Sequence, residues 1–311
     1  MPPAYAVAPS SARTSDNAAV LYLQNATSGL AAGVTYGLVA LALVIVFRAT
    51  GVVNFAAGEM ATFTTFIAWE LIAQAHIPFF EAMAIVAVIA AGLGLLVYVL
   101  VIHPARGRPE FVTVMITFGL YELFNGLSNS VWNPSPRSFP APVTGAPLHV
   151  GDVIVTRQNL GNAAVAVVAM LLLAGLFRFT RVGLGLRATA DNAEAARVVG
   201  ITPARMYALG WAMASVAGAI AGMLFANVLL LSPSMMGNVL VFSLVSVIVG
   251  GLESPVGAIV GGLIVGASAG VLAGVQGIGP NLATPVMLGL VIVILLLRPQ
   301  GLFGQVVARK L

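Results

Sequence analysis

Cysteine is absent from the 311-residue sequence and charge is scarce, and each shortage removes a class of protein. Without cysteine there is no disulfide framework and no thiolate metal site. Asp, Glu, Lys and Arg make up 8% of the residues, against about 25% in an ordinary soluble domain. So few charges cannot cover a water-facing surface, and a soluble globular fold is excluded. The only lysine is Lys310. No Gly-x-x-x-x-Gly-Lys-Ser/Thr loop occurs, so the chain does not bind ATP by that device. His76, His103 and His149 are too scattered for a metal cluster, and no nucleophile–base pair is visible. The expectation is a non-enzyme with no metal and no cofactor of its own. Residues 1–27 carry only Arg13 and Asp16 as charges and no apolar stretch before a cleavage site, so they are not a secretory signal. A disordered N-terminal tail is expected there.

What the chain has is apolar length, 59% of its residues. About 20 apolar residues cross a hydrocarbon core of roughly 30 Å. Residues 28–47, 82–102 and 158–177 hold no charge, while 55–75 and 111–131 hold only Glu59, Glu70 and Glu122. Residues 206–252 run 47 positions without a charge, and 254–297 run 44. Each would make about 65–70 Å of helix, two crossings rather than one. Ser232-Pro233-Ser234 with Gly237-Asn238, and Gln276-Gly277 through Asn281, supply the turns between them. The expected fold is an all-α polytopic membrane protein with about 8–9 transmembrane helices. Nine crossings are counted; because 239–251 is short, eight and a re-entrant segment is the alternative. The membrane domain is placed at 28–303 and a cytoplasmic tail at 304–311.

Thirteen of the fourteen basic residues are arginines, set in short gaps between apolar runs. They form no stripe of the kind nucleic acid requires, and they read as orientation charges in a lipid-embedded chain. With the N-terminus outside, eleven lie in the cytoplasm: Arg48, Arg106, Arg108, Arg178, Arg181, Arg187, Arg197, Arg205, Arg298, Arg309 and Lys310. Arg13, Arg137 and Arg157 lie outside. That split of 11 to 3 selects this topology, with a cytoplasmic C-terminus. The outer loop, about 133–156, is either a small folded element or a plain connector.

One cytoplasmic connection, 178–203, is long. Within it residues 189–199 read as a short helix, with Asp191 and Glu194 towards its N-terminal side and Arg197 towards its C-terminal side, signs that suit the helix dipole. Gly200 stops it and Pro203 opens the next crossing. Ala188, Ala195 and Ala196 make a face that permits close approach. Two readings stay open: a solvated surface helix, or a docking helix that transmits movement from a soluble motor.

The glycine- and proline-rich breaks at 50–54 and 250–255 occupy matching places in the two halves. Irregular backbone at membrane depth is tolerated only where protein or water satisfies it, so paired breaks point to a pathway; ordinary surface turns are the other reading. Glu122 sits mid-way along the fourth crossing, where a charge costs about 2.5–3.5 kcal/mol. It should face the bundle interior, a water-filled cavity or a partner subunit. With Thr113, Thr117 and Asn125 it forms a candidate polar stripe, either lining a path or bonding between helices. Glu59 lies nearer the cytoplasmic end, where Asn54 could cap its helix. Glycines such as Gly218, Gly222, Gly262 and Gly266 read as close-packing positions.

Two motifs resemble one family. YGLVALALVIVFRATGVVNFAAGEM is similar to the first helix and following Asn-Phe-Ala-x-Gly-Glu motif of permease subunits of branched-chain amino-acid type bacterial ABC importers. GLGLRATADNAEAARVVGI resembles their cytoplasmic coupling segment, through Gly183, Arg187, Ala188, Asn192, Ala196, Gly200 and Ile201. The resemblance covers residues 28–303. The family often has His where this chain has Ala57, so no imidazole role is supported there. The resemblance implies a transmembrane permease with internal pseudo-symmetry, translocating leucine, isoleucine and valine into the cell across the bacterial inner membrane. Related permeases handle urea, amides or other small amino acids, and these stay open as alternatives. Implied partners are a second permease subunit (self or paralogue), two cytoplasmic ATP-binding subunits that use the ATP, and an extracytoplasmic solute-binding protein. Coupling is assigned to Arg187, Asp191, Asn192, Glu194, Ala196, Arg197 and Gly200, and the translocation pathway to Asn54, Glu59, Thr117, Glu122 and Asn125. A secondary transporter would need paired acidic ion ligands, and only Glu122 is deep; a membrane enzyme would need a clustered catalytic set.

Because no native cysteine interferes, orientation can be read with single cysteines. In intact cells a membrane-impermeant maleimide should label Val143→Cys and spare Asn192→Cys until the membrane is opened. The reverse pattern would invert the topology.

Overall fold

The computed structural model describes residues 11–150, 153–275, 279–298 and 300–304. Chain segments free of proline become long helices. The first, α1 (Ser11–Thr50), lasts 40 residues and ends where Gly51 takes φ +74°, a left-handed turn that suits glycine. α2 (Ala57–Ala73) and α3 (Phe79–Val97) follow. Beyond α3 the chain widens into a π turn, Tyr98–Ile102, and then a 3-10 turn, His103–Ala105. Pro104 has no N–H to give the preceding turn, which explains the change of pitch. Pro109 precedes α4 (Glu110–Trp132).

The loop after α4 holds a two-stranded antiparallel hairpin, β1 (Leu148–Val150) with β2 (Val153–Val155), Leu148 opposite Val155. Thr156 Oγ1 accepts from Asn159 N–H at 3.3 Å and starts α5 (Arg157–Phe179). Two short helices, α6 (Arg181–Asp191) and α7 (Ala193–Val198), lead to α8 (Pro203–Leu229), which has proline in its first turn. α9 (Met236–Gly250), α10 (Pro255–Ala273) and α11 (Gly279–Leu297) complete the described chain.

Helices occupy all nine of the expected crossings, but they are unequal. Among the described residues six are long and apolar enough to span a bilayer: Val20–Thr50, Phe79–Ala105, Glu110–Trp132, Arg157–Phe179, Pro203–Leu229 and Pro255–Ala273. α2 has 17 residues and α9 has 15, and the apolar stretch Pro285–Leu297 is also short. Residues 11–27 correct the expectation of a disordered tail: they are helical and continuous with the first crossing. No proline or glycine interrupts them before Gly29, and Ala18 and Ala19 favour helix. Residues 1–10 lie outside the described part, as do 305–311 of the expected C-terminal tail.

The core is built on α1 and α8. Of their most apolar windows 67% and 61% are buried, against 28–33% for α3, α4, α5 and α10. The outer four therefore leave most of their apolar surface to lipid or to another protein. α1 meets α10 along a seam of glycines: Gly29, Gly33 and Gly37 face Gly262, Gly266 and Gly270. A Cβ on Gly33 would stand 2.8 Å from the Gly262 carbonyl oxygen. Backbones that close replace side-chain burial with direct van der Waals contact, the usual source of helix adhesion in lipid.

Basic residues gather at one end of the bundle, where Arg48, Arg106 and Arg187 line neighbouring hollows. At the other end Arg137 lies over the Trp69 ring at 4.4 Å and pairs backbone to backbone with Leu231. Trp69 Nε1 donates to the Ser138 carbonyl at 3.2 Å, and Trp132 Nε1 to Glu70 Oε1 at 2.9 Å. The long loop is thus a folded element anchored by interfacial aromatics rather than a plain connector.

α2 begins inside the bundle. Residues 51–56 turn back from the basic end without helix, and Val52, Asn54 and Ala56 are buried. Phe55 stacks on Phe118 at 4.6 Å between ring centroids, about 12 Å along α4 from its start. Ala61 Cβ lies 3.6 Å from where a Cβ on Gly218 would stand, about 22 Å along α8 from Pro203. Residues 230–235 do the same from the opposite end, descending from Leu231 to bring Met236 against Gly58. α2 and α9 therefore start beside each other at mid-depth and run in opposite directions. The break at 250–255 is an ordinary surface turn at the basic end, one of the two readings the sequence left open. Ser254 caps α10 there by accepting from Gly257 N–H at 2.9 Å.

Gly33→Leu should wedge α1 from α10 at a cost of several kcal/mol, since neither backbone can retreat. In detergent its unfolding temperature should fall well below that of Gly92→Leu, whose Cβ would meet nothing within 4 Å.

Candidate functional site

Two places in this fold carry polar chemistry: the α6–α7 element at the basic end, and the meeting point of α2, α4 and α9 at mid-depth.

The single helix expected over 189–199 is two. Asn192 is extended, with φ −152° and ψ 103°. Its Oδ1 accepts from the Glu194 and Ala195 N–H groups at 3.0 and 2.9 Å, closing α6 and capping α7. An asparagine that can cap competes with helix continuation, which is the physical reason for the break. α6 itself starts earlier than expected, at Arg181, with Thr180 Oγ1 accepting from Gly183 N–H at 3.1 Å. Asp191 consequently ends a helix instead of beginning one, and its charge does not complement the dipole there. Glu194 and Arg197 do lie in the first and last turns of α7 as expected. The stop at Gly200 takes φ +85°; Gly200 N–H bonds to Arg197 O at 3.0 Å and Ile201 N–H to Ala196 O at 2.9 Å. That pair of bonds is a Schellman closure.

Asp191, Asn192, Glu194, Arg197 and Gly200 are exposed, as is Arg187, whose Nε reaches the Gly183 carbonyl at 3.4 Å. Ala196 is buried, Ala195 exposed and Ala188 between the two, so the three alanines do not share one face. Three neighbours escaped the sequence reading. Leu186 is buried where α6 meets α1 and α8, near Ala49 and Gly210. Its signal was an apolar residue four after Val182 in a polar segment. Val198 and Val199 are 88% and 74% exposed, an apolar tip on a charged element. Beside the element opens a cavity of about 780 Å³ lined by Arg48, Arg106, Asp191, Tyr207 and Glu253. Arg106 lies over the Tyr207 ring at 4.1 Å and donates to Tyr98 Oη at 3.4 Å.

At mid-depth Glu59 is completely buried in the first turn of α2. Asn125 Nδ2 of α4 donates to Glu59 Oε2 at 3.3 Å and to the Pro233 carbonyl at 3.4 Å. Asn125 Oδ1 accepts from Asn129 Nδ2 at 3.0 Å. Glu59 Oε1 is buried with no hydrogen-bond partner. Asn54 is buried too, but it does not cap α2; its Oδ1 accepts from Ala56 N–H at 3.0 Å and shapes the incoming turn. The expectation that Glu59 lies near the basic end is corrected, because residues 51–56 carry the chain inward before α2 starts.

The stripe Thr113–Thr117–Glu122–Asn125 also dissolves. At about 100° per residue, Glu122 lies opposite Thr113. Thr113 and Thr117 are buried, Asn125 is half-buried and Glu122 is exposed. Thr117 Oγ1 is satisfied within its own helix by the Val114 carbonyl at 2.8 Å. Glu122 shares its exposed face with Phe111, Met115 and Phe118, so it does not face this chain's own interior. Among the described residues no group of His, Asp and Glu could hold a metal ion.

A permease-like bundle with an ordered element at its basic end agrees with the comparisons. The family model described as branched-chain amino acid transport system / permease component matches residues 25–296, and the chain belongs to that family. Its members are transport permeases rather than enzymes. The chain is 27% identical over 306 residues to the high-affinity branched-chain amino acid transport system permease protein BraD of Pseudomonas aeruginosa, covering 91% of this chain and 96% of that one. It is 25% identical over 303 residues to the corresponding LivH protein of Escherichia coli K12, with the same coverage. A probable branched-chain amino acid transport permease protein LivH of Methanocaldococcus jannaschii is 26% identical over 286 residues, covering 86% and 88%. No solved structure matches the chain significantly.

Asn192→Ala removes the cap of α7 and should destabilise that helix by about 1 kcal/mol. Amide exchange over Glu194–Val198 should then quicken about fivefold, while Asn192→Asp, which keeps the acceptor, leaves it near the native rate.

Proposed function

We propose that this chain is the membrane-spanning permease subunit of an ATP-binding-cassette importer that carries branched-chain amino acids across a bacterial inner membrane. Its N-terminus lies outside and the basic end faces the cytoplasm. It works with a second permease subunit (itself or a paralogue), two ATP-binding subunits and an extracytoplasmic solute-binding protein. The substrate follows from the names of the relatives; the chain has no nucleotide loop, so hydrolysis belongs to the partners.

The observation that carries this reading is α6–α7. The element projects exposed Val198 and Val199 and packs Leu186 against α1 and α8, the two most buried of the six long spans. Force applied at the tip therefore has a route to the core through Leu186. Arg187, Asp191, Asn192, Glu194, Ala196, Arg197 and Gly200 form the body of this lever, and Asn192 is its joint. The pathway runs along the exposed face of α4. A carboxylate on that face is too costly for lipid, so Glu122 meets water or the second permease, with Asn125, Glu59 and Asn54 behind it and Thr117 supporting the helix.

In proteoliposomes, leucine-loaded binding protein should stimulate ATP hydrolysis and drive leucine uptake; stimulation by urea and not by leucine overturns the substrate assignment. Replacing both Val198 and Val199 by Asp should abolish co-purification of the ATP-binding subunits. Leu186→Ala should keep those subunits bound yet reduce uptake per ATP hydrolysed by about tenfold, because the contact that transmits force is hollowed out. Full uptake by Leu186→Ala would remove it from the coupling route.

A further inference from the structure

Among the described residues Glu59 is the only buried charged side chain. It is a carboxylate with no exposed surface, and only one of its oxygens is served. Its single donor, Asn125 Nδ2, is shared with the Pro233 carbonyl at 3.3 and 3.4 Å, beyond the usual N–H···O range of about 2.7–3.2 Å. Asn125 thus spends its two N–H donors at stretched distances on Glu59 Oε2 and Pro233 O, and the third acceptor, Glu59 Oε1, has none. Proteins rarely leave a buried carboxylate so poorly satisfied unless another partner visits it. The place matters as well: two helices break to create it, and interrupted helices meeting at mid-depth are where transporters hold their cargo.

We propose that Glu59 and the Pro233 carbonyl form a mid-membrane station for the ammonium group of the transported solute, with Asn125 as the placeholder that yields to it. This rests on the reading of the chain as an importer subunit and deepens it. A primary ammonium carries three N–H donors and one positive charge. It satisfies all three acceptors and neutralises the carboxylate. Urea or a simple amide also has N–H groups but no charge, and would leave the buried carboxylate uncompensated. Glu122, exposed on α4, the helix that carries Asn125, adds negative charge to that side of the bundle. Asn125 is half-buried and donates to both Glu59 and Pro233, so its side chain is the one that swings aside. The station selects for the ammonium whatever the solute's side chain, leaving finer discrimination to the binding protein.

The test uses the complete complex in proteoliposomes, with wild type, Glu59→Gln and Glu59→Asp compared. Glutamine keeps the shape and can still accept from Asn125, so the complex should still assemble. Leucine uptake per ATP should fall about tenfold or more, the worth of one charge-assisted hydrogen bond, and aspartate should recover part of it. Isopentylamine, which is leucine without its carboxyl group, should inhibit uptake by wild type and not the residual uptake by Glu59→Gln. Undiminished leucine uptake by Glu59→Gln, or equal inhibition of both by the amine, overturns the station alone. Loss of assembly in both variants makes Glu59 a structural residue and also overturns it. A wild-type complex that moves urea and not leucine overturns the station together with the assigned function.

Discussion

Backbone polar groups have no water to turn to inside a bilayer, and the bundle is arranged around that constraint. Residues 51–56 and 230–235 leave the helix at membrane depth and must be enclosed by protein. α1 and α8 provide the enclosure, and both are buried about twice as fully as the outer helices. The close approach of α1 to α10 through facing glycines completes the wall. Asn54 satisfies the turn into α2 from within, and the Arg137–Leu231 pairing holds the start of the other descent. Remove the enclosure and the irregular segments would have to become helix, which would erase the mid-depth junction.

The junction in turn explains why α2 and α9 are short. Each is a shortened crossing preceded by non-helical chain, and the two are related by opposed direction. The family resemblance implies a pseudo-symmetric architecture, and the opposed starts at Ala57 and Met236 agree with it. The correspondence pairs the 51–56 segment with 230–235, not with the surface turn at 250–255.

Much of this was legible in the residues, and the failures have physical reasons. Apolar runs locate nine helices because hydropathy averages over twenty residues and survives local detail. The depth at which α2 begins escapes that averaging, since extended chain and helix have the same composition. Glu122 was assigned to a stripe by spacing, yet nine residues is two and a half turns, so it emerges on the far side of α4. Asn192 is ambiguous in sequence: the same amide can sit on a helix or cap one, and only the geometry of its bonds to Glu194 and Ala195 decides. Glu194, Arg197 and Gly200 do sit in the first turn, last turn and stop of α7, where their chemistry put them. Leu186 was missed because one apolar side chain in a charged loop resembles noise until the surface it fills is known.

The exposed carboxylate on α4 has a bearing on how such a subunit survives alone. Facing hydrocarbon, Glu122 would pull headgroups and water down along the helix, thinning the membrane around it. A chain that has not met its companions thus advertises itself by the dent it makes, and a membrane protease or chaperone could sense that distortion without reading any sequence. Any protein surface that covered Glu122 would smooth the bilayer again, so lipid elasticity itself would favour that contact.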